Sequence, residues 1–238
     1  MAFAMLAYAI FFATFLYLIA FVGNLPWVPV TVDRGGAASP IGVAVAIDLA
    51  LIALFGIQHS GMARRAFKSW WTRFVPEHVE RSFYVLAASG VLIVLFALWR
   101  PIDGVIWATD GAAAAVLWAL FGLGWAIVLL STFLINHFEL FGLQQAWFHF
   151  RDRQAADPTF RTPFLYRLVR HPLYLGFCIS FFAAPTMTVG RLVFAVGMTA
   201  WILIAIGLEE KDLIAMFGDR YREYRRQVGM LLPMLGRG

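Results

Sequence analysis

The chain has one cysteine, Cys178, in 238 residues. An internal disulfide and a cysteine-based metal cluster are therefore excluded. Cys178 lies in an apolar run, where a buried, inert thiol is the expected state. Charge is scarce too. Only 14% of residues are Asp, Glu, Lys or Arg, against about 25% in a soluble domain. HExxH, a histidine pair at i and i+4, a nucleophile elbow, GxGxxG and GxxxxGK(S/T) are all missing. Zincin, serine-hydrolase, Rossmann and P-loop sites have no footing here. No internal repeat or low-complexity tract occurs. The net charge of +5 forms no basic stripe with interleaved aromatics, so no nucleic-acid partner is implied. Nothing implies an obligate protein partner.

What the chain has is apolar length: 61% of residues are hydrophobic. A membrane span needs about 20 such residues. The runs 3–22, 41–60, 82–99 and 113–135 meet that need. Two further runs, 173–187 and 190–208, are separated by Pro185, Thr186, Thr188 and Gly190. These predict a tight helical hairpin, giving six spans, or five if the short first arm does not cross. The expected fold is all-α, one polytopic membrane bundle over 1–238. Residues 1–135 form an N-terminal four-helix part and 136–238 a C-terminal part. The first run has no basic segment before it and no clean small-x-small site after it, so it reads as a retained helix.

Basic residues fix the expected orientation. All but three of the 19 Lys and Arg fall in 62–81, 136–171 and the tail beyond 208. The exceptions are Arg34, Arg100 and Arg191. Both termini are therefore expected in the cytoplasm. The same count puts His59, Arg81, His137, Glu139, Arg170, His171, Glu209 and Glu210 at cytoplasmic ends of spans. A ring of solvated charges is one account of that level. Three histidines within it favour a site, because histidine is not a usual interfacial anchor. No spacing among them favours a metal. Asp48 lies apart, within the second span. An intramembrane carboxylate is a functional candidate. The favoured account, however, is an Asp bonded to a neighbouring helix.

Two C-terminal stretches carry the strongest chemical signal. RHPLYLG, 170–176, stands where a basic segment meets an apolar one. Pro172 suits the first turn of a helix, whose unpaired N–H groups favour a carboxylate. Tyr174 adds an aromatic hydroxyl, and Gly176 allows close approach of a helix or ligand. Glu209 and Glu210 sit where the last span leaves the membrane and offer a partner for an ammonium group. Gly218 is expected to interrupt the helix beyond them. A helix N-terminus and a carboxylate together match an amino-acid zwitterion. Interfacial anchoring by Arg and Tyr is the plainer alternative.

RHPLYLG, a hydrophobic hairpin and EEKDLIAMFGDRYREYRRQV together resemble the C-terminal half of integral-membrane methyltransferases. That group includes isoprenylcysteine carboxyl methyltransferases and phospholipid N-methyltransferases. Further upstream, QHSGMARRAFKSWWTRFVPEHVERSFYVL, NHFELFGLQQAW and FRTPFLYRLVRHPLYLGF are similar to the bacterial methanethiol S-methyltransferases, close to the NnrU-like branch. The likeness covers most of 40–233. Asn136 departs from it, standing where an acidic residue is expected. The resemblance implies S-adenosylmethionine as methyl donor, held by Arg170, His171, Leu173, Tyr174, Gly176, Glu209, Glu210, Tyr221 and Tyr224. It implies methanethiol as acceptor, dimethyl sulfide and S-adenosylhomocysteine as products, and a bacterial inner-membrane location. Alternatives are a prenylcysteine carboxylate or lipid amine as acceptor, and a non-catalytic NnrU-like protein. A transporter is disfavoured by the absence of paired repeats.

Thiol methylation needs a thiolate, and even a cysteine thiol ionises only near pH 8.5. His59 and His137 are the candidate bases, Glu139 the group orienting an imidazole, and Arg81 the cation holding negative charge.

Overall fold

Apolar runs and well-placed breakers decide where the helices lie. The computed structural model describes residues 1–153 and 159–233. Residues 154–158, within the polar segment, and 234–238, within the basic tail, lie outside the described residues. Five helices are long and apolar enough to cross a membrane: α1 (Ala2–Val22), α2 (Ile41–Met62), α4 (Glu77–Leu98), α5 (Gly111–Ile135) and α9 (Val189–Phe217). Short helices α3 (Arg65–Trp71), α6 (His137–Leu140), α7 (Leu143–Phe150) and α10 (Asp219–Gln227) lie between or after them. A further apolar helix, α8 (Pro172–Phe182), precedes α9. Pro40 and Pro76 stand just before α2 and α4, and Pro172 opens α8. Each is where a missing N–H costs no helical bond. This is an all-α polytopic membrane bundle.

Two boundaries differ from expectation for local reasons. α4 begins at Glu77, not 82, because Glu77 and Glu80 suit the positive end of the helix dipole. α9 continues to Phe217, not 208, and ends where Gly218 takes φ +57°. At about 1.5 Å per residue, Glu209 is roughly 30 Å from the start of α9. The last two turns thus project beyond a bilayer core.

The arm between Pro172 and Thr188 ends in a strand rather than a tight helical turn. Strand β2 (Thr186–Thr188) pairs antiparallel with β1 (Val105–Ala108), in the α4–α5 connection. Trp107 Nε1 also donates to the carbonyl of Ala184 at 3.0 Å. The far end of α8 is therefore tied to the end of the bundle where α4 stops and α5 starts. α8 alone is roughly 17 Å long, and the non-helical residues 183–185 supply the remaining reach. The chain passes through the bundle six times, and its first helix starts at the end where α10 lies.

α4 packs between α1 and α2, α2 against α9, and α8 against both α5 and α9. Phe21, Phe96, Trp99, Trp125, Phe181 and Phe194 fill the core. Two seams depend on glycine. A Cβ on Gly176 would lie 2.6 Å from the Gly124 carbonyl oxygen, and one on Gly56 would lie 2.0 Å from the Trp201 ring. Small residues let membrane helices approach closely and gain dispersion contacts. Asp48 is fully buried, and its Oδ1 accepts the backbone N–H of Arg100 at 2.9 Å. It ties α2 to the backbone just past α4.

Candidate functional site

His171 is the N-cap of α8, and the end of the chain folds back onto it. The N–H groups of Arg170 and His171 donate to the carbonyls of Gly229 and Met230, at 2.8 and 3.2 Å. Gly218 makes this return possible, since its positive φ separates α10 from α9. The strap brings two guanidinium groups and an imidazole around one carboxylate. Arg170 Nε lies 2.7 Å from Glu210 Oε1, His171 Nε2 lies 3.2 Å from the same oxygen, and Arg225 is 3.6 Å from Oε2. The Arg170 and Glu210 side chains are each 10% exposed. Glu210 is thus saturated by the protein itself.

Glu209 differs. Its side chain is 42% exposed, and His171 Nδ1 stands 3.9 Å from it. The Tyr174 hydroxyl hydrogen-bonds this carboxylate. It keeps a charge to offer beside the first turn of α8. Tyr221 is 2% exposed, and its buried hydroxyl has no hydrogen-bond partner among the described residues. Tyr224 donates its hydroxyl to the carbonyl of Tyr166. Burial raises Tyr224 to about 12 and lifts Tyr221 as well. Both phenols therefore stay neutral at physiological pH. Leu173 packs against the core, and Gly176 faces α5 rather than open space. Their contribution is to seat α8.

His59, near the end of α2, faces the same region. The Tyr84 hydroxyl lies 3.0 Å from its Nε2 and 3.1 Å from its Nδ1. Phe55 stacks on the imidazole, with centroids 5.2 Å apart. Arg81 Nε donates to the carbonyl of Leu140 at 2.7 Å, and its guanidinium lies over the Tyr84 ring, 4.6 Å from the centroid. Arg64 closes the edge. It pairs with Asp212 at 2.8 Å and donates to the carbonyl of Ser60, linking α2 to α9 one turn beyond Glu209.

His137 and Glu139 lie elsewhere, toward α1. The His137 Nε2 is 2.8 Å from the Tyr8 hydroxyl, and its Nδ1 is 2.8 Å from Thr132 Oγ1. Thr132 already donates to the carbonyl of Leu129. Its oxygen must therefore accept from Nδ1–H, which leaves Nε2 to accept from Tyr8. Both nitrogens are occupied, and burial holds His137 below the ordinary histidine range. Glu139 does not orient this ring. It is exposed, and it bonds Asn136, whose side chain caps α6 by accepting the Glu139 N–H. That explains the missing acid at 136, because Asn and Asp serve equally as N-caps.

The fold therefore gathers Arg170, His171, Tyr174, Glu209, Glu210, Tyr221 and Tyr224 with His59 and Arg81, and leaves His137 and Glu139 outside. Tyr84, Tyr8, Thr132 and Arg64 escaped the sequence reading. Tyr84 was within reach, since it lies three residues after Arg81 and so shares a helix face. Among the described residues no group of three or more His, Cys, Asp or Glu is arranged for a metal ion. A groove of about 650 Å³ does occur at this end, flanked by Arg161, Arg167, Arg220 and Tyr224. Its lining also holds the Glu223 carboxylate but none of Glu209, Glu210, His171 or His59.

A multi-span bundle with a carboxylate clamp at one end and an imidazole–phenol pair beside it defines a class. It is an integral-membrane protein with polar side chains gathered at one end of its bundle. The methanethiol S-methyltransferase of Mycobacterium tuberculosis is 54% identical over 228 residues, which is 95% of this chain and 93% of that protein. Methanethiol S-methyltransferase 2 of Bradyrhizobium diazoefficiens is 50% identical, covering 98% and 89%. Nurim of Rattus norvegicus is 29% identical over 226 residues. No family model matches the chain and no solved structure matches it. The chain belongs to the methanethiol S-methyltransferase family.

Proposed function

We propose that the protein transfers a methyl group from S-adenosylmethionine to methanethiol, giving dimethyl sulfide and S-adenosylhomocysteine. The observation that carries this reading is an exposed carboxylate, Glu209, at the same end of the bundle as the imidazole of His59. Tyr84 stands against His59, and Tyr174, which bonds Glu209, opens the neighbouring helix α8. Glu209 and the first turn of α8 fit the two charged ends of an amino acid. The Tyr221 hydroxyl, unpaired among the described residues, is a further donor nearby. The donor set thus suits the amino-acid end of S-adenosylmethionine, which when bound would supply a methyl group activated by a sulfonium. The N-terminal part, 1–135, provides His59, Arg81 and Tyr84, and the C-terminal part provides the clamp.

The residues of the chain then do four things. Glu210 fixes Arg170, His171 and the strap, so that α8 presents its first turn. Glu209 binds an ammonium group. His59 accepts the thiol proton on a ring nitrogen, and Arg81 offers positive charge near Tyr84. Holding the two reactants in register contributes up to roughly 7–11 kcal/mol. The glycine seams at Gly56–Trp201 and Gly124–Gly176 bring neighbouring helices into contact, which supports a small acceptor over a lipid one. The basic end faces the cytoplasm in this reading.

The test uses purified protein in detergent, supplied with methanethiol and S-adenosylmethionine, with dimethyl sulfide measured in the headspace. A prenylcysteine and a lipid amine are run beside them. Product from methanethiol alone is expected. No product from methanethiol, with S-adenosylhomocysteine shown to bind by calorimetry, rejects the reading.

A further inference from the structure

α3 has the pattern of an amphipathic helix, yet none of its seven residues is buried. Phe67, Trp70 and Trp71, with Phe74 in the turn beyond, recur at steps of three and four and share one face. Arg65, Lys68 and Ser69 take the other face, and Arg73 follows them. The Trp70 ring touches Phe67 and Phe74, with centroids 5.5 and 5.6 Å apart. Trp71 turns to the bundle, edge-on to Phe83 of α4 at 6.2 Å. Trp70 and Phe74 stay 48% and 69% exposed. The polar face is cationic. Arg65 and Arg73 are exposed, and Lys68 is partly buried. Neighbouring Arg64 pairs with Asp212 at 2.8 Å, whereas none of Arg65, Lys68 and Arg73 forms an ion pair among the described residues. α3 joins the ends of two spanning helices, α2 at Met62 and α4 at Glu77, so it lies where hydrocarbon meets water. A helix with one aromatic and one basic face suits the plane of that boundary.

We infer that α3 is a docking surface for acidic phospholipids. Trp70 and Phe74 enter the acyl boundary, while Arg65, Lys68 and Arg73 hold headgroup phosphates. Charge complementarity selects this occupant. Water alone would leave the rings uncovered, and a purely apolar partner would leave three cations unmatched. α3 is also the link between the helix that carries His59 and the helix that carries Arg81 and Tyr84. Its seat on the membrane therefore fixes the depth of both.

The full chain in detergent is titrated with dioleoylphosphatidylglycerol or dioleoylphosphatidylcholine, and bound lipid is counted by native mass spectrometry. The acidic lipid is expected to bind more tightly, and salt should weaken it. Each basic residue near a charged membrane surface is worth roughly fivefold in affinity, so Arg65→Gln/Arg73→Gln should lower phosphatidylglycerol affinity by roughly 25-fold. Trp70→Ala/Phe74→Ala should lower the affinity for both lipids. Arg161→Gln/Arg167→Gln removes the same charge from the groove beside α10 and should change lipid binding little. Equal losses in the two arginine pairs reduce the effect to net charge and overturn the inference. So does wild-type affinity in Arg65→Gln/Arg73→Gln, or equal affinity of the wild type for the two lipids. Free glycerol 3-phosphate binding as tightly as the lipid would leave the rings without a role and also overturn it. A dimer that Trp70→Ala/Phe74→Ala dissolves, with lipid binding unchanged, gives this face to a second copy of the chain instead.

Discussion

Replacing each carboxylate of the Glu209-Glu210 pair by Gln should separate a structural role from a binding one. Glu210→Gln removes the charge that faces Arg170 at 2.7 Å, His171 at 3.2 Å and Arg225 at 3.6 Å. The Arg170 guanidinium stays 10% exposed and now faces a neutral amide. Breaking a buried ion pair on one side costs about 3–5 kcal/mol. Gln keeps one acceptor oxygen, so the low end applies. A chain of this size loses about 2–4 °C of melting temperature per kcal/mol, so the fall is roughly 6–12 °C. Glu209→Gln has no such consequence. Its side chain is 42% exposed and 3.9 Å from the His171 imidazole, and an exposed pair contributes at most about 1 kcal/mol. Its loss should appear in ligand binding instead. A hydrogen bond to a charged group is worth about 1.5–3 kcal/mol, or roughly 10–100-fold in affinity. Thermal scans in detergent and calorimetric titration with S-adenosylhomocysteine read the two effects separately. Wild-type affinity in Glu209→Gln refutes the reasoning. So does a Glu210→Gln protein that melts normally yet does not bind.

His137 gives a pH signature of stability. Burial holds its ring below the ordinary 6.5, so the unfolded chain binds the proton more readily. Stability rises with pH where the unfolded state binds more protons. The contribution of His137 is therefore complete above pH 6.5 and fades as pH falls toward the lowered folded value. Melting temperature should drop between pH 7 and 5, and His137→Gln should flatten that drop; an unchanged slope counts against it. Gly176→Leu should destabilise by about 1–3 kcal/mol through overpacking against α5. Gly207→Ala meets open space and should be neutral or slightly stabilising; equal melting shifts in the two variants would contradict the seam. Reporter fusions to either end of the chain should both read as cytoplasmic. A periplasmic reading at one end would break the six-pass topology.

The spans and the site level were legible in the sequence because hydrophobic runs and basic loops are one-dimensional signals. Membrane insertion responds to mean apolarity over about 20 residues, and orientation responds to the number of Lys and Arg at each end. RHPLYLG and the Glu pair were legible for a related reason. A helix start and a carboxylate at one membrane depth are local properties of the chain. The short arm at 172–187 was harder, since 11 helical residues alone do not reach across. Its six-pass answer came from β1–β2 pairing between segments some eighty residues apart.

Composition and order thus determined that the chain is a membrane bundle with polar chemistry gathered at one end, because burial and charge act there residue by residue. Tertiary structure alone decided which polar groups have spare bonding capacity. Glu210 is consumed by Arg170, His171 and Arg225, while Glu209 is not. His137 is consumed by Tyr8 and Thr132, while His59 shares one hydroxyl. Neighbouring or equivalent residues in the sequence were separated by their partners in space, and those partners come from helices more than a hundred residues away in one case and five residues away in another.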